Sequence, residues 1–175
     1  MVSDLYRAAE RLMSMDDRVW LRHANPWSVW TRIATAPFLF LAAWSHVWIG
    51  WYALVPLVLV AVWTWLNPRL FAVPADRTTW SARGVFGERV FLNRRAVPIP
   101  TSHLFMGHLL TTLSAVSLLG FLIGLYVQDL WLALGAFTLA FVFKMWFVDR
   151  MAWLFDQMHD THPDYRAWVD DPPHQ

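Results

Sequence analysis

NPRLFAVPADRTTWSARGVFGERVFLNRRAVPIPTS, residues 67–102, is the stretch on which the fold depends. It is polar and rich in arginine (Arg69, Arg77, Arg83, Arg89, Arg94 and Arg95), and a long apolar run lies on each side of it. Each apolar run is itself split once by a short polar or glycine turn. That alternation predicts two tight helical hairpins joined by one long loop: an all-α, integral membrane four-helix bundle.

Working outward, the first hairpin covers residues 27–66. Trp27–Ile49 and Trp51–Leu66 are its legs and Gly50 its turn. Asn25-Pro26 and Asn67-Pro68 punctuate its two ends, and Pro37 and Pro56 are expected to kink the legs, as neighbouring helices allow inside a membrane. The second hairpin covers residues 103–158. Leu104–Val127 is one leg, Gln128-Asp129 the turn, and the other leg starts near Leu130 and continues through Met158. Each leg is close to the ~17–25 residues that span a hydrocarbon core. Within the loop, Thr79–Asn93 predicts a short interfacial helix with Trp80, Val85, Phe86, Val90 and Phe91 towards lipid, weakened by Gly84 and Gly87. Val97-Pro98-Ile99-Pro100 reads as extended, since proline disfavours helix in the residue before it. Thr101 or Ser102 then caps the next helix. Residues 1–24 have the spacing of an amphipathic helix broken at Asp16-Asp17, and residues 159–175 read as a loosely held tail.

Composition agrees. The chain has 175 residues, 57% hydrophobic and 15% charged, where soluble domains run about 45–50% apolar and about 25% charged. Its length suits a single membrane domain, residues 1–175. With no cysteine there is no disulfide framework, thiolate metal site or cysteine nucleophile. No cleavable leader is visible in residues 1–24.

Basic residues set the expected orientation. Neither short turn holds lysine or arginine, so both termini and the long loop are expected in the cytoplasm, with a bacterial inner membrane as the compartment. Trp44, Trp48, Trp51 and Trp131 would then form an outer belt. Trp27, Trp30, Trp63, Trp65, Trp146 and Trp153 would form an inner one. Gly120-x-x-x-Gly124 offers a close helix contact, either to the last leg through Gly135, Ala136 and Ala140 or to another subunit.

Ionisable groups at membrane depth are functional candidates by default: Arg32, His46, His108, Lys144 and Asp149. Arg32 and Lys144 are near enough to the ends to snorkel. His46 and His108 fall towards opposite faces, which argues against a haem held by both. A set on the cytoplasmic side (His103, His108, Asp149, Asp156 and His159, with His23, Asp160 and His162 nearby) has ligand types suited to zinc or iron. Its spacing does not help: His103 and His108 are about 140° apart around a helix, so metal is not the expectation. Arg89, Arg94 and Arg95 beside Phe91 and Leu92 could grip an anionic headgroup. Bound lipid or pigment is the cofactor class that remains. The expected partners are membrane lipids, other membrane subunits or a second copy; no phosphate-loop, dinucleotide, nucleophile-elbow or nucleic-acid motif is present.

Gly87-Glu88-Arg89-Val90-Phe91-Leu92-Asn93-Arg94-Arg95, then Val97-Pro98-Ile99-Pro100, then Lys144-Met145-Trp146-Phe147-Val148-Asp149-Arg150-Met151-Ala152-Trp153-Leu154 form a distinctive series. Over most of residues 20–158 it resembles an uncharacterised family of small bacterial and archaeal integral membrane proteins. The resemblance implies a membrane protein and carries no activity.

Two functional classes follow. One is a non-catalytic accessory or lipid-binding subunit of a larger membrane complex, favoured by the lack of a catalytic constellation. The other is a membrane-embedded enzyme on a lipid-like or lipid-phosphate substrate, with Arg89, Arg94 and Arg95 on the phosphate and the His/Asp set supplying a base or metal.

Overall fold

A computed structural model describes residues 17–170, and within them the chain is all helical. In order these are α1 (Asp17–His23), α2 (Pro26–Trp44), the single turn α3 (His46–Ile49), α4 (Leu54–Leu70), α5 (Trp80–Leu92), α6 (Thr101–Tyr126), α7 (Leu130–Met158) and α8 (Pro163–Asp170). Short 3-10 turns at Gly50–Ala53 and His159–Thr161 complete the path. The amphipathic reading of the first sixteen residues lies outside the described residues.

Three helical segments are long and apolar enough to cross a membrane: Pro26–Leu70, Thr101–Tyr126 and Leu130–Thr161. Their apolar windows are only 6%, 17% and 11% buried within the protein. Contiguous apolar surface on that scale is compatible with a membrane surrounding. The first segment folds back on itself at Gly50, whose φ of 55° is costly for any residue with a side chain.

Why α2 and α4 lie side by side is seen in their polar residues. Ser28 donates to the Asn67 side-chain oxygen at 2.7 Å, and the Asn67 amide donates to Thr31 at 2.8 Å. Higher up, the Trp63 indole donates to Thr35 at 3.0 Å. Partners at 28/67 and 35/63 run in opposite directions, so the two legs are antiparallel. Asn67-Pro68 does not end the leg, as its sequence implies; α4 continues to Leu70 with both residues buried. A buried amide with two side-chain partners is cheaper inside a helix pair than at a frayed end.

The second hairpin turns at Gln128, with a φ of 57°. Asp129 then caps α7 by accepting from the Leu132 amide at 3.0 Å. Close by, a Cβ on Gly124 would lie 2.5 Å from the Ala133 nitrogen, and one on Gly120 would lie 3.3 Å from the Ala136 Cβ. Both glycines therefore bring α6 onto α7. Gly135 differs: it faces open space with nothing within 4 Å. A second small core of Phe40, Trp44, Phe121 and Phe137 fills this turn end.

At the opposite end the chain builds a cap, and here the sequence reading is corrected. Thr79 caps α5 as its side chain accepts from the Ala82 amide. Its apolar face is not turned towards lipid, however: Val85, Phe86, Val90 and Phe91 are buried against α7, with Met151, Leu154 and Phe155. Gly84 and Gly87 make that docking possible. A Cβ on Gly87 would overlap the Met151 carbonyl, and one on Gly84 would reach the Val148 side chain at 2.8 Å. Burying Phe86 and Phe91 contributes about 1.5–3 kcal/mol each, which outweighs the helix penalty of two glycines at about 1 kcal/mol each. Neither Thr101 nor Ser102 caps α6; Pro100 holds that position with no side-chain bond.

The last described residues are not a loose tail. In α8, Tyr165 is 1% exposed and its hydroxyl accepts from the Asn93 amide at 2.9 Å. Trp168 lies against Phe86, and its carbonyl accepts from Arg77, itself buried in the loop before α5. The long loop and the chain's end thus close one hydrophobic cap.

Candidate functional site

Between the first hairpin and α7, just beneath the cap, lies a cavity of about 440 Å³. Its walls come from α1, α2, α4, α5 and α7. Towards the cap they carry His23, Arg32, Glu88 and Lys144. Towards the turn end they are apolar: Ala36, Leu39, Val60 and Phe141.

The four polar side chains form a collar. Arg32 sits one helical turn beyond Ser28, and its Nε donates to the Ser28 carbonyl at 3.1 Å. That bond holds the guanidinium so that Nη1 donates to Nε2 of His23 at 2.9 Å. A guanidinium only donates, so His23 accepts through Nε2 and carries its proton on Nδ1. Nδ1 is buried and has no hydrogen-bond partner, although the ring is 7% exposed. Burial first, then the positive charges of Arg32 and Lys144, hold the His23 imidazole well below its ordinary range and keep it neutral. Across the cavity, Lys144 donates to Glu88 at 3.1 Å and lies 4.8 Å from the centre of the Phe147 ring.

The arginines singled out in the sequence are placed elsewhere. Arg89 pairs with Asp17 and lies over the Trp168 ring. Arg94 donates to the Phe91 carbonyl at 2.6 Å and covers that ring, while Arg95 is exposed. They share the cap surface without forming one pocket.

The histidines and aspartates are also spread out. His103 contacts Gln157 at 3.0 Å, and Asp149 accepts from the Trp80 indole at 2.9 Å. Asp156 pairs with Arg83 at 2.8 Å, and His159 with Asp160 at 3.3 Å. His108 packs edge-on against Phe91, its Nε2 buried without a partner, and His46 is at the turn end on the Ala43 carbonyl. Among the described residues no three His, Asp or Glu side chains are grouped as metal ligands.

The profile of a family of unknown function (DUF6653) matches residues 6–171. The chain belongs to that family. The match spans every residue of the collar and all three stretches that carry the resemblance, residues 87–95, 97–100 and 144–154. No curated protein and no solved structure matches the chain.

Sequence reasoning found Arg32 and Lys144 as charges at depth and assigned both to snorkelling. It did not join them to Glu88 and His23. The available signal was Glu88 within a motif that also precedes Lys144's own motif; the pairing itself spans 56 residues.

Proposed function

We propose that this protein is an integral membrane protein with four crossings, both termini and the cap in the cytoplasm, whose role is to hold a membrane-derived amphiphile rather than to transform it. One observation carries the reading: the cavity beneath the cap is charged at one end and apolar at the other. A lipid-like molecule has the same polarity along its length. Small-molecule sites are concave, largely apolar and oriented by a few polar groups, typically in about 300–1,000 Å³, and this cavity has that make-up.

The orientation is supported by where cations stand. Residues 33–68 and 96–143 contain no lysine or arginine, so the two turns lack the charges that retain a segment in the cytoplasm. Exposed Trp48, Trp51 and Trp131 at the turn end, and Trp27, Trp65 and Trp153 nearer the cap, suit the two interfaces of a bilayer.

Purification from the native membrane in a mild detergent, followed by native mass spectrometry, tests this. The expected result is one retained lipid-like adduct per chain. Monodisperse, helical protein that retains none would overturn the reading. A fixed protein companion in the same preparation would make the chain the lipid-binding subunit of a larger complex.

A further inference from the structure

We infer that the head of the bound amphiphile carries a single negative charge. This rests on the amphiphile-holding reading and specifies its ligand. The collar contains two cations, Arg32 and Lys144, one anion, Glu88, and a neutral imidazole that accepts from Arg32. Its formal charge is therefore one positive.

Charge selects among heads. A monoanion balances the collar. A zwitterionic choline head would bring a cation beside Arg32 and Lys144. A dianion would leave one charge uncompensated. A neutral alcohol would leave the excess positive charge unmatched.

A carboxylate on a fatty acid and a phosphodiester on a one-chain phospholipid share this chemistry. The test separates them. Delipidated full-length protein in detergent is titrated with oleate, lysophosphatidylglycerol, lysophosphatidylcholine and oleyl alcohol, with occupancy read by native mass spectrometry. Saturable one-to-one binding is expected for one or both anions, at least about tenfold tighter than for the zwitterion or the alcohol, the scale of one charge-assisted hydrogen bond. Which anion wins identifies the source. Arg32→Gln should bring the anions to within about threefold of the alcohol.

Glu88→Gln supplies the result that misfolding could not imitate. It raises the collar to two positive charges, so oleoyl lysophosphatidate, a dianion, should bind about tenfold tighter than to the unaltered protein. Equal binding of all heads would overturn this inference and leave the amphiphile-holding reading standing. Binding of none of the five would remove both. Failure of Glu88→Gln to gain affinity for the dianion would remove the charge assignment alone.

Discussion

His23 is where burial and charge conflict most directly. Its ring is buried, next to a guanidinium that can only donate, and near a lysine. Folded, it stays neutral to well below the ordinary histidine range; unfolded, it takes up a proton near pH 6.5. Between those two values the unfolded chain binds the extra proton. The stability that His23 lends is thus complete above its unfolded pKa and is lost as the pH falls towards the folded one. The apparent melting temperature in detergent should drop between about pH 7.5 and about pH 5.5, and His23→Gln should flatten that drop. Equal pH slopes for the two proteins would contradict the burial argument. At this scale half of the site is legible from the letters alone: Arg32 and Lys144 stand out as charges inside apolar runs. Their partners do not, because Glu88 reaches Lys144 from 56 residues away and nothing local marks the encounter.

Among the elements, α5 separates what periodicity reveals from what it hides. The long legs were legible because an apolar run of that length has few other homes. Helix α5 was legible as a helix but not as a core element. Its Arg83, Glu88 and Arg89 made it look superficial, and its glycines looked like breakers. In the fold those glycines are a notch for the backbone of α7, and the arginines point away to Asp156 and Asp17. Propensity was outweighed by packing, which a single chain's letters do not display. The same applies to α8, whose Tyr165 closes the cap from a stretch with the composition of a tail. Gly87→Ala should therefore cost about 1–3 kcal/mol through overpacking against the Met151 carbonyl. Gly135→Ala, on an open helix face, should be neutral or stabilise by up to about 1 kcal/mol. Melting both variants in one detergent decides it; if the two behave alike, α5 is not seated on α7 through Gly87.

For the whole molecule, polarity along the long axis unites fold and site. One end is two bare turns edged with tryptophan; the other is a cap studded with arginine, and the collar lies just inside that cap. A ligand arriving along the cytoplasmic leaflet would present its head at the collar's depth, so the proposed role depends on which way the protein faces. The chain has no cysteine of its own, so single cysteines report the facing directly. Trp51→Cys and Tyr126→Cys mark the turn end at residues 87% and 88% exposed, while Arg95→Cys and Asp160→Cys mark the cap. In intact cells a membrane-impermeant maleimide should label the first two, and the cap positions should react only after permeabilisation. Each apolar leg leaves the cap's cations on one side of a barrier that they cross at a cost of about 2.5–3.5 kcal/mol apiece on the insertion scale. Labelling of either turn in the same compartment as Asp160→Cys would mean that a hairpin does not cross. The collar would then lose its leaflet, and the amphiphile its route to it.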